Sequence, residues 1–169
     1  KYDFEITSWS YLRGEWRDRG WWYYYAYGLL VKEPLGTWWL LGLALTVTIT
    51  RCDYRRAGRA EIVVLGPLLA VLVLVSTQTG FTRHLRYVLP VLPFAFIWIS
   101  KVGQSIKWGH CKIAALAVIG LVSSVASSLF AYPHSLAYFN ELAGGPRQGA
   151  EHLLHSNVDW GQDLLLYRA

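Results

Sequence analysis

The sequence predicts an all-α membrane protein with about four transmembrane helices, and three observations support this fold class. The chain is 54% hydrophobic and 16% charged, whereas soluble domains carry about 25% charged residues. Its apolar residues are concentrated in four blocks, at about residues 34–50, 61–76, 85–102 and 113–131, and a membrane helix needs about 17–25 mostly apolar residues. No block shows the polar stripe of a surface helix, which disfavours the alternative of a very apolar soluble helical bundle.

The first 33 residues are predicted to form an interfacial segment. Six aromatic side chains lie between Trp21 and Tyr27, and such rings prefer the depth of the lipid headgroups. We expect a helix over residues 23–31 that lies in the interface, either as a simple anchor or as a surface that stacks on a sugar. Pro34 then begins the first span, because proline suits the first turn of a helix.

Charge in the loops predicts the orientation of the spans. Four arginines follow the first block, and three lysines lie at the end of the third block or after it. Because loops rich in Arg and Lys stay in the cytoplasm, both loops are expected on that side. Alternation then places residues 1–33, the loop at 77–86 and the tail at 132–169 on the outer face. The third block contains Pro90 and Pro93, which a membrane helix tolerates when its neighbours satisfy the freed carbonyl groups.

A basic and aromatic cluster lies at the start of the third span, on the predicted outer face. Positively charged residues are usually found on the cytoplasmic side, so their presence here suggests a function. Arginine binds phosphate with two parallel hydrogen bonds, and a lipid phosphate lies at the same depth. The alternative is that these side chains only reach towards ordinary headgroups. The candidate residues for binding the phosphate of a lipid donor are Arg83, Arg86, His84, Tyr87 and, as a weaker third cation, Lys32.

The tail is polar and contains a second candidate site. A helix is expected at about residues 146–155, with His152 and His155 on a solvated face rather than in a zinc site. Asp159 and Gln162 have the spacing of a capping box that starts another helix at Trp160. The same stretch is dense in groups that bind hydroxyls beside an indole, which is typical of a carbohydrate site. The candidate residues for binding sugar or acceptor are Asn157, Asp159, Trp160, Gln162 and Asp163.

Three stretches, YLRGEWRDRGWWYYYAYGLLVKEPL, RHLRYVLPVLPF and AYFNELAGGPRQGAEHLLHSNVDWGQDL, resemble bacterial membrane glycosyltransferases related to the dolichyl-phosphate-mannose–protein mannosyltransferases. These enzymes form glycosyltransferase family 39 and have the multi-span GT-C fold. The resemblance implies a multi-pass protein of the bacterial inner membrane. It would move a sugar from a polyprenyl-phosphate donor to a protein, lipid or glycan acceptor on the outer face.

The resemblance also implies where the catalytic base would be. In this family an acidic residue of the first outer loop acts as base on the acceptor, and neither Asp3 nor Glu5 lies in a matching motif. We therefore expect the chain to be a C-terminal fragment that is inactive alone, with no catalytic residue assigned. Arg83 and Arg86 would stabilise the departing phosphate.

The expected partners are the lipid-linked sugar, membrane lipids and the acceptor, without nucleic acid. No cofactor or metal is expected, because the chain shows no glycine-rich phosphate loop and no metal-ligand spacing. The main alternative is a non-enzymatic subunit of a lipid or polysaccharide transporter or flippase. Such proteins usually place polar residues within their spans, and these four blocks are almost free of them. A pure assembly or anchoring protein, the third alternative, has no use for the outer arginines.

Overall fold

The computed structural model describes residues 9–50, 58–78, 84–104 and 111–159. The described part is mostly helical, and its contacts divide the chain into two compact units. The first, which we call the hairpin unit, contains Lys1–Glu33, Leu74–Tyr87 and Ala131–Ala169. The second, the span unit, contains Pro34–Val73 and Val88–Phe130. The segments that the sequence predicts on the outer face thus pack with one another in the hairpin unit.

The hairpin unit begins with two short antiparallel strands, β1 (Ser10–Leu12) and β2 (Glu15–Arg17). The two turn residues have positive φ, 53° at Arg13 and 86° at Gly14, as a tight two-residue hairpin turn requires. The all-α prediction is therefore wrong for this segment. Such a turn usually has an Asn-Gly or Asp-Gly pair. This sequence has Arg13 and Gly14 instead, and arginine seldom adopts a positive φ, so nothing local indicated the hairpin.

Helix α1 (Tyr24–Lys32) lies within one residue of its predicted position. Its aromatic face is not a headgroup belt, because Tyr24 and Tyr25 are 1% and 0% exposed within the unit. The prediction of an interfacial belt is thus wrong for these two rings and for Trp21, although Trp22 is 72% exposed. Residues from the tail cover the inner face of α1 and complete a small apolar core, formed by Leu12, Trp21, Tyr24, Tyr25, Val31, Phe139, Ala143 and Leu153.

The tail is built from short turns rather than from one long helix. The single α-helix in its described part, α6 (Gly149–His152), has four residues, so the predicted helix over 146–155 is wrong in extent. Leu153 and Leu154 are extended, and His155 has a φ of 60°, which ends any regular helix. Three 3-10 turns accompany α6, at Ser135–Ala137, Glu141–Ala143 and His155–Asn157. The predicted helix that starts at Trp160 lies outside the described residues.

The span unit has helices at all four predicted apolar blocks. Two of them, α3 (Gly58–Thr77) and α5 (Cys111–Ala131), are long and apolar enough among the described residues to cross a membrane, by length and composition. Helix α2 (Leu35–Thr50) and the segment Val91–Gly103, which contains α4 (Val91–Ser100), are shorter. A 3-10 turn at Leu85–Tyr87 precedes α4. Four spans and a GT-C fold therefore remain predictions.

Helices α2 and α5 approach each other through small residues. A Cβ atom placed on Gly36 would lie 2.3 Å from the carbonyl oxygen of Gly120, and one on Gly120 would lie 2.7 Å from Cδ1 of Trp39. The hydroxyls of Thr37 and Ser124 are 3.4 Å apart at the same contact. Close packing of small residues is the usual way in which membrane helices associate, since lipid provides little hydrophobic drive.

An ion pair joins the start of α3 to the end of α4. The carboxylate of Glu61 accepts hydrogen bonds from Lys101 Nζ at 2.6 Å and from Trp98 Nε1 at 2.5 Å. The Lys101 and Glu61 side chains are only 13% and 19% exposed. This contact therefore joins the first turn of α3 to the C-terminal end of α4.

Candidate functional site

Six of the ten residues singled out in the sequence are described by the structure, and all six belong to the hairpin unit. They come from α1, from the segment before α4 and from the tail. These described candidates are Lys32, His84, Arg86, Tyr87, Asn157 and Asp159. The other four, Arg83, Trp160, Gln162 and Asp163, lie outside the described residues.

Asn157 is the centre of the contacts between these segments. It is 4% exposed, and its Oδ1 accepts a hydrogen bond from the backbone N–H of Leu85 at 2.9 Å. Its Nδ2 donates to Tyr24 Oη at 2.9 Å and to the carbonyl oxygen of Leu154 at 3.1 Å. Both N–H groups of the amide are thus occupied within the protein. In this arrangement Asn157 positions the tail against α1 and the 84–87 segment rather than offering its amide to a sugar.

Lys32 anchors the same part of the tail through its ammonium group. Nζ donates to the carbonyl oxygens of Leu136 at 2.7 Å and Asn157 at 2.5 Å. It also lies 4.0 Å from the ring centroid of Phe139, which is a favourable cation–π distance. Burial lowers the pKa of Lys32 to about 8, because a low-dielectric environment disfavours the charged form. Lys32 is therefore still mostly protonated at neutral pH.

His84 contacts the residue next to Asn157. Its Nδ1 forms a hydrogen bond with Ser156 Oγ, and its ring packs edge-on against Tyr87 at 6.0 Å between centroids. Consecutive tail residues, Ser156 and Asn157, are thus held by His84 and Lys32. The predicted phosphate-binding residues and the predicted sugar-binding tail are in direct contact, although 72 positions separate His84 from Ser156.

Arg86 and Tyr87 lie on the outside of this contact. Arg86 is exposed, its Nη2 donates to Tyr87 Oη at 3.3 Å, and its Cζ lies 5.2 Å from the centroid of the Tyr87 ring. Contact with an aromatic ring restrains a guanidinium. An exposed, restrained guanidinium of this kind is suited to bind a phosphate.

Asp159 follows the contact and is also exposed. Its backbone N–H donates to the carbonyl oxygen of His155 at 3.2 Å, and the N–H of Val158 donates to the same oxygen at 3.0 Å. A tight turn therefore carries the chain from the buried Asn157 back to the surface.

Two further polar residues support the site, and neither was assigned to it from the sequence. Asn140 is 2% exposed, and its Nδ2 donates to the carbonyl oxygens of Leu30 and Glu33 at 2.6 and 3.1 Å. These bonds satisfy carbonyl groups at the end of α1 that the helix itself leaves unpaired. Asn140 also accepts a hydrogen bond from the N–H of Ala143 at 3.1 Å. The local signal for the second role is an asparagine at the start of a helical turn, whereas nothing local indicates the first.

His152 is the other supporting residue, and its predicted solvated position is wrong. It is half-buried, and its Nε2 lies 3.1 Å from the carbonyl oxygen of Ala143. Because a carbonyl can only accept, this nitrogen carries the proton, and Nδ1 accepts from Tyr27 Oη at 2.5 Å. The imidazole also stacks on Phe139. His152 therefore links α1 to the tail core.

Comparison with known proteins identifies no relative. No family model matches the chain, and neither a curated protein nor a solved structure matches it. Within residues 9–50, 58–78, 84–104 and 111–159, no three His, Cys, Asp or Glu side chains come together as metal ligands. The geometry of the hairpin unit is therefore what indicates a function.

Proposed function

We propose that this chain is part of an integral-membrane glycosyltransferase, which moves a sugar from a polyprenyl-phosphate donor to an acceptor on the outer face of the membrane. One observation carries this proposal. The segment 84–87, which the sequence associates with the donor phosphate, contacts the tail that the sequence associates with the sugar. His84 bonds to Ser156, and the N–H of Leu85 donates to Asn157. The phosphate and the sugar of one donor molecule would need sites that are adjacent in this way.

The buried and exposed residues of the cluster have different roles in this proposal. Asn157 and Lys32 hold the tail in place through bonds within the protein. Arg86, which is exposed and stacked on Tyr87, binds the donor phosphate, and Arg83 is assigned to the same role from the sequence alone. Negative charge develops on the phosphate as the bond to the sugar breaks, and cations fixed nearby lower the energy of that transition state.

The first test is the binding of decaprenyl phosphate to the purified chain in lipid nanodiscs, measured by native mass spectrometry. Arg86→Gln removes the charge, and Arg86→Lys keeps the charge but loses the planar fork. A hydrogen bond to a charged group contributes about 1.5–3 kcal/mol, so we expect Arg86→Gln to weaken binding by roughly 10- to 100-fold. Arg86→Lys should be intermediate.

Arg147→Gln is the matched control, because Arg147 is an exposed arginine of the same unit and its replacement changes the net charge equally. Equal affinity in Arg86→Gln, Arg147→Gln and the wild type would contradict the proposed phosphate site. Transfer is then measured with the protein in its full-length form. Donor binding without any sugar transfer would favour the alternative of a transporter or flippase subunit.

A further inference from the structure

The outward face of the β-hairpin displays an aromatic side chain that the core of the hairpin unit does not use. Tyr11 and Trp16 are directly opposite in the ladder, so they share one face,. Ser10 and Leu12 lie on the other face and are 0% and 1% exposed, which shows that this second face attaches the hairpin to the unit. Trp16 is 47% exposed, and its ring centroid lies 5.2 Å from that of Tyr11.

The tail adds a second ring beside Trp16. The imidazole of His155 lies 5.5 Å from the indole between centroids, and the two planes meet at 77°. His155 is exposed and has the left-handed backbone conformation that non-glycine residues rarely adopt,. That conformation turns the chain sharply between Leu154 and Ser156 and leaves the imidazole on the side of the hairpin. The two rings therefore form an open corner rather than a flat plate.

We propose that Trp16 and His155 form a binding corner for an oligosaccharide. A pyranose ring has an apolar C–H face, which an indole can cover, and a polar edge of hydroxyls, which imidazole nitrogens and carboxylates can bind. The turn at His155 also carries Asp159, whose N–H bonds to the His155 carbonyl oxygen at 3.2 Å. The stacking surface of Trp16 and the imidazole nitrogens of His155 thus meet at one turn of the tail.

The surrounding charges favour a saccharide over the lipid surface as the occupant. The hairpin carries charges of both signs, and the exposed Arg17 and Glu15 pair at 3.3 Å. Asp18 and Arg19 follow directly and are also exposed. An anionic bilayer attracts segments of uniform positive charge, whereas a mixed set of donors and acceptors suits hydroxyl groups.

The position of the corner connects it to the proposed donor site. His155 immediately precedes Ser156, which His84 contacts, so a saccharide in the corner would lie beside the residues assigned to the donor phosphate. Whether this saccharide is the acceptor glycan or the sugar of the donor is a question that rests on the proposed function. Binding of a saccharide to the corner does not depend on that function.

The test measures the binding of cellohexaose, mannohexaose and chitohexaose to the full chain in lipid nanodiscs, by saturation-transfer difference NMR and titration. The variants are Trp16→Ala, Trp16→Phe and His155→Asn, the last because asparagine tolerates a positive φ. Trp22→Ala is the matched control, since Trp22 is an exposed indole of the same unit with 72% exposure. A melting curve for each variant confirms that it is folded.

We expect at least one hexasaccharide to bind the wild type and the Trp22→Ala variant equally. Trp16→Ala should weaken that binding by about tenfold, His155→Asn should weaken it less, and Trp16→Phe should partly restore it. Absence of binding for all three hexasaccharides, or equal binding by Trp16→Ala and Trp22→Ala, would overturn the proposal. Saturation transfer from the lipid chains of the nanodisc to Trp16, without any effect of Trp16→Ala on saccharide binding, would overturn it as well, in favour of a membrane anchor. Retained saccharide binding with no binding of decaprenyl phosphate would contradict the proposed transferase and leave this inference intact.

Discussion

Replacement of Asn157 by alanine should destabilise the hairpin unit strongly. The substitution removes three side-chain hydrogen bonds, which join Asn157 to the N–H of Leu85, the hydroxyl of Tyr24 and the carbonyl oxygen of Leu154. Asn157 is 4% exposed and Tyr24 is 1% exposed, so water cannot easily replace the lost amide. A buried polar group left unsatisfied costs about 1–3 kcal/mol. Three lost hydrogen bonds, at about 1 kcal/mol each, predict a decrease of about 3 kcal/mol in the free energy of unfolding.

Thermal unfolding in detergent measures this effect. For a chain of 150–250 residues, 1 kcal/mol corresponds to a change in Tm of about 2–4 °C, so Asn157→Ala should lower Tm by about 6–12 °C. Gln148→Ala removes a side-chain amide from an exposed position of the same unit, and it should change Tm by less than about 2 °C. Hydrogen exchange at the Leu85 amide should accelerate in Asn157→Ala alone. Equal Tm values for the two variants would refute the assignment of Asn157 as the residue that holds the three segments together.

Two further predictions concern stability. Gly36→Ala should lower Tm, because the added Cβ would lie 2.3 Å from the carbonyl oxygen of Gly120. Gly42→Ala is the control: its Cβ would have no atom within 4 Å, so Tm should stay unchanged or rise,. Similar Tm values for the two variants would argue against the α2–α5 contact. Burial lowers the pKa of Lys32 from 10.5 to about 8 and raises the pKa of Tyr24 from 10.0 to about 12. The unfolded chain then holds the lysine proton that the folded chain has lost, so stability should rise as pH increases above about 8. Above about pH 10 the unfolded tyrosine ionises first and stability should fall again. Lys32→Met should abolish the rise in chemical-denaturation curves taken across this range, and an unchanged rise would assign it to other groups.

The helices of the span unit were predictable because apolar composition alone determines them. Helix α2 begins within one residue of its predicted start and ends at the predicted residue. The third block was predicted less well. Pro90 and Pro93 are tolerated in a membrane helix, yet the regular helix begins only at Val91. A proline lacks the N–H that a helix interior needs, so it favours the first turn of a helix over the middle.

The aromatic segment shows a limit of reasoning from composition. Tyrosine and tryptophan suit both a headgroup interface and a protein core, and the sequence does not distinguish the two environments. Tyr24 is 1% exposed, and Asn157 of the tail donates a hydrogen bond to its hydroxyl. More than a hundred positions separate these partners, as in the bond between Asn157 and Tyr24, which spans 133 positions.

The candidate site was predicted in its parts but not in its arrangement. The basic cluster and the polar tail can each be recognised from a short stretch of sequence. The contacts of His84 with Ser156 and of Leu85 with Asn157 join residues far apart in the chain, and no local sequence pattern indicates them. Trp16 was not identified at all, because its significance depends on the unpredicted hairpin and on the conformation of His155.

The buried residues of the hairpin unit stabilise it, and the exposed ones are the candidates for binding a ligand. This difference follows from which residues bond to groups inside the unit. Asn140, Asn157 and Lys32 bond to groups inside the unit and fix the tail on α1. Arg86 and Trp16 are exposed on elements that those bonds hold. A site whose supporting residues are already bonded requires little reorganisation when a ligand arrives, which favours binding and catalysis. Substitutions of the inner residues should therefore affect stability first and binding only as a consequence, whereas substitutions of Arg86 or Trp16 should reduce binding in a protein that melts at the normal temperature.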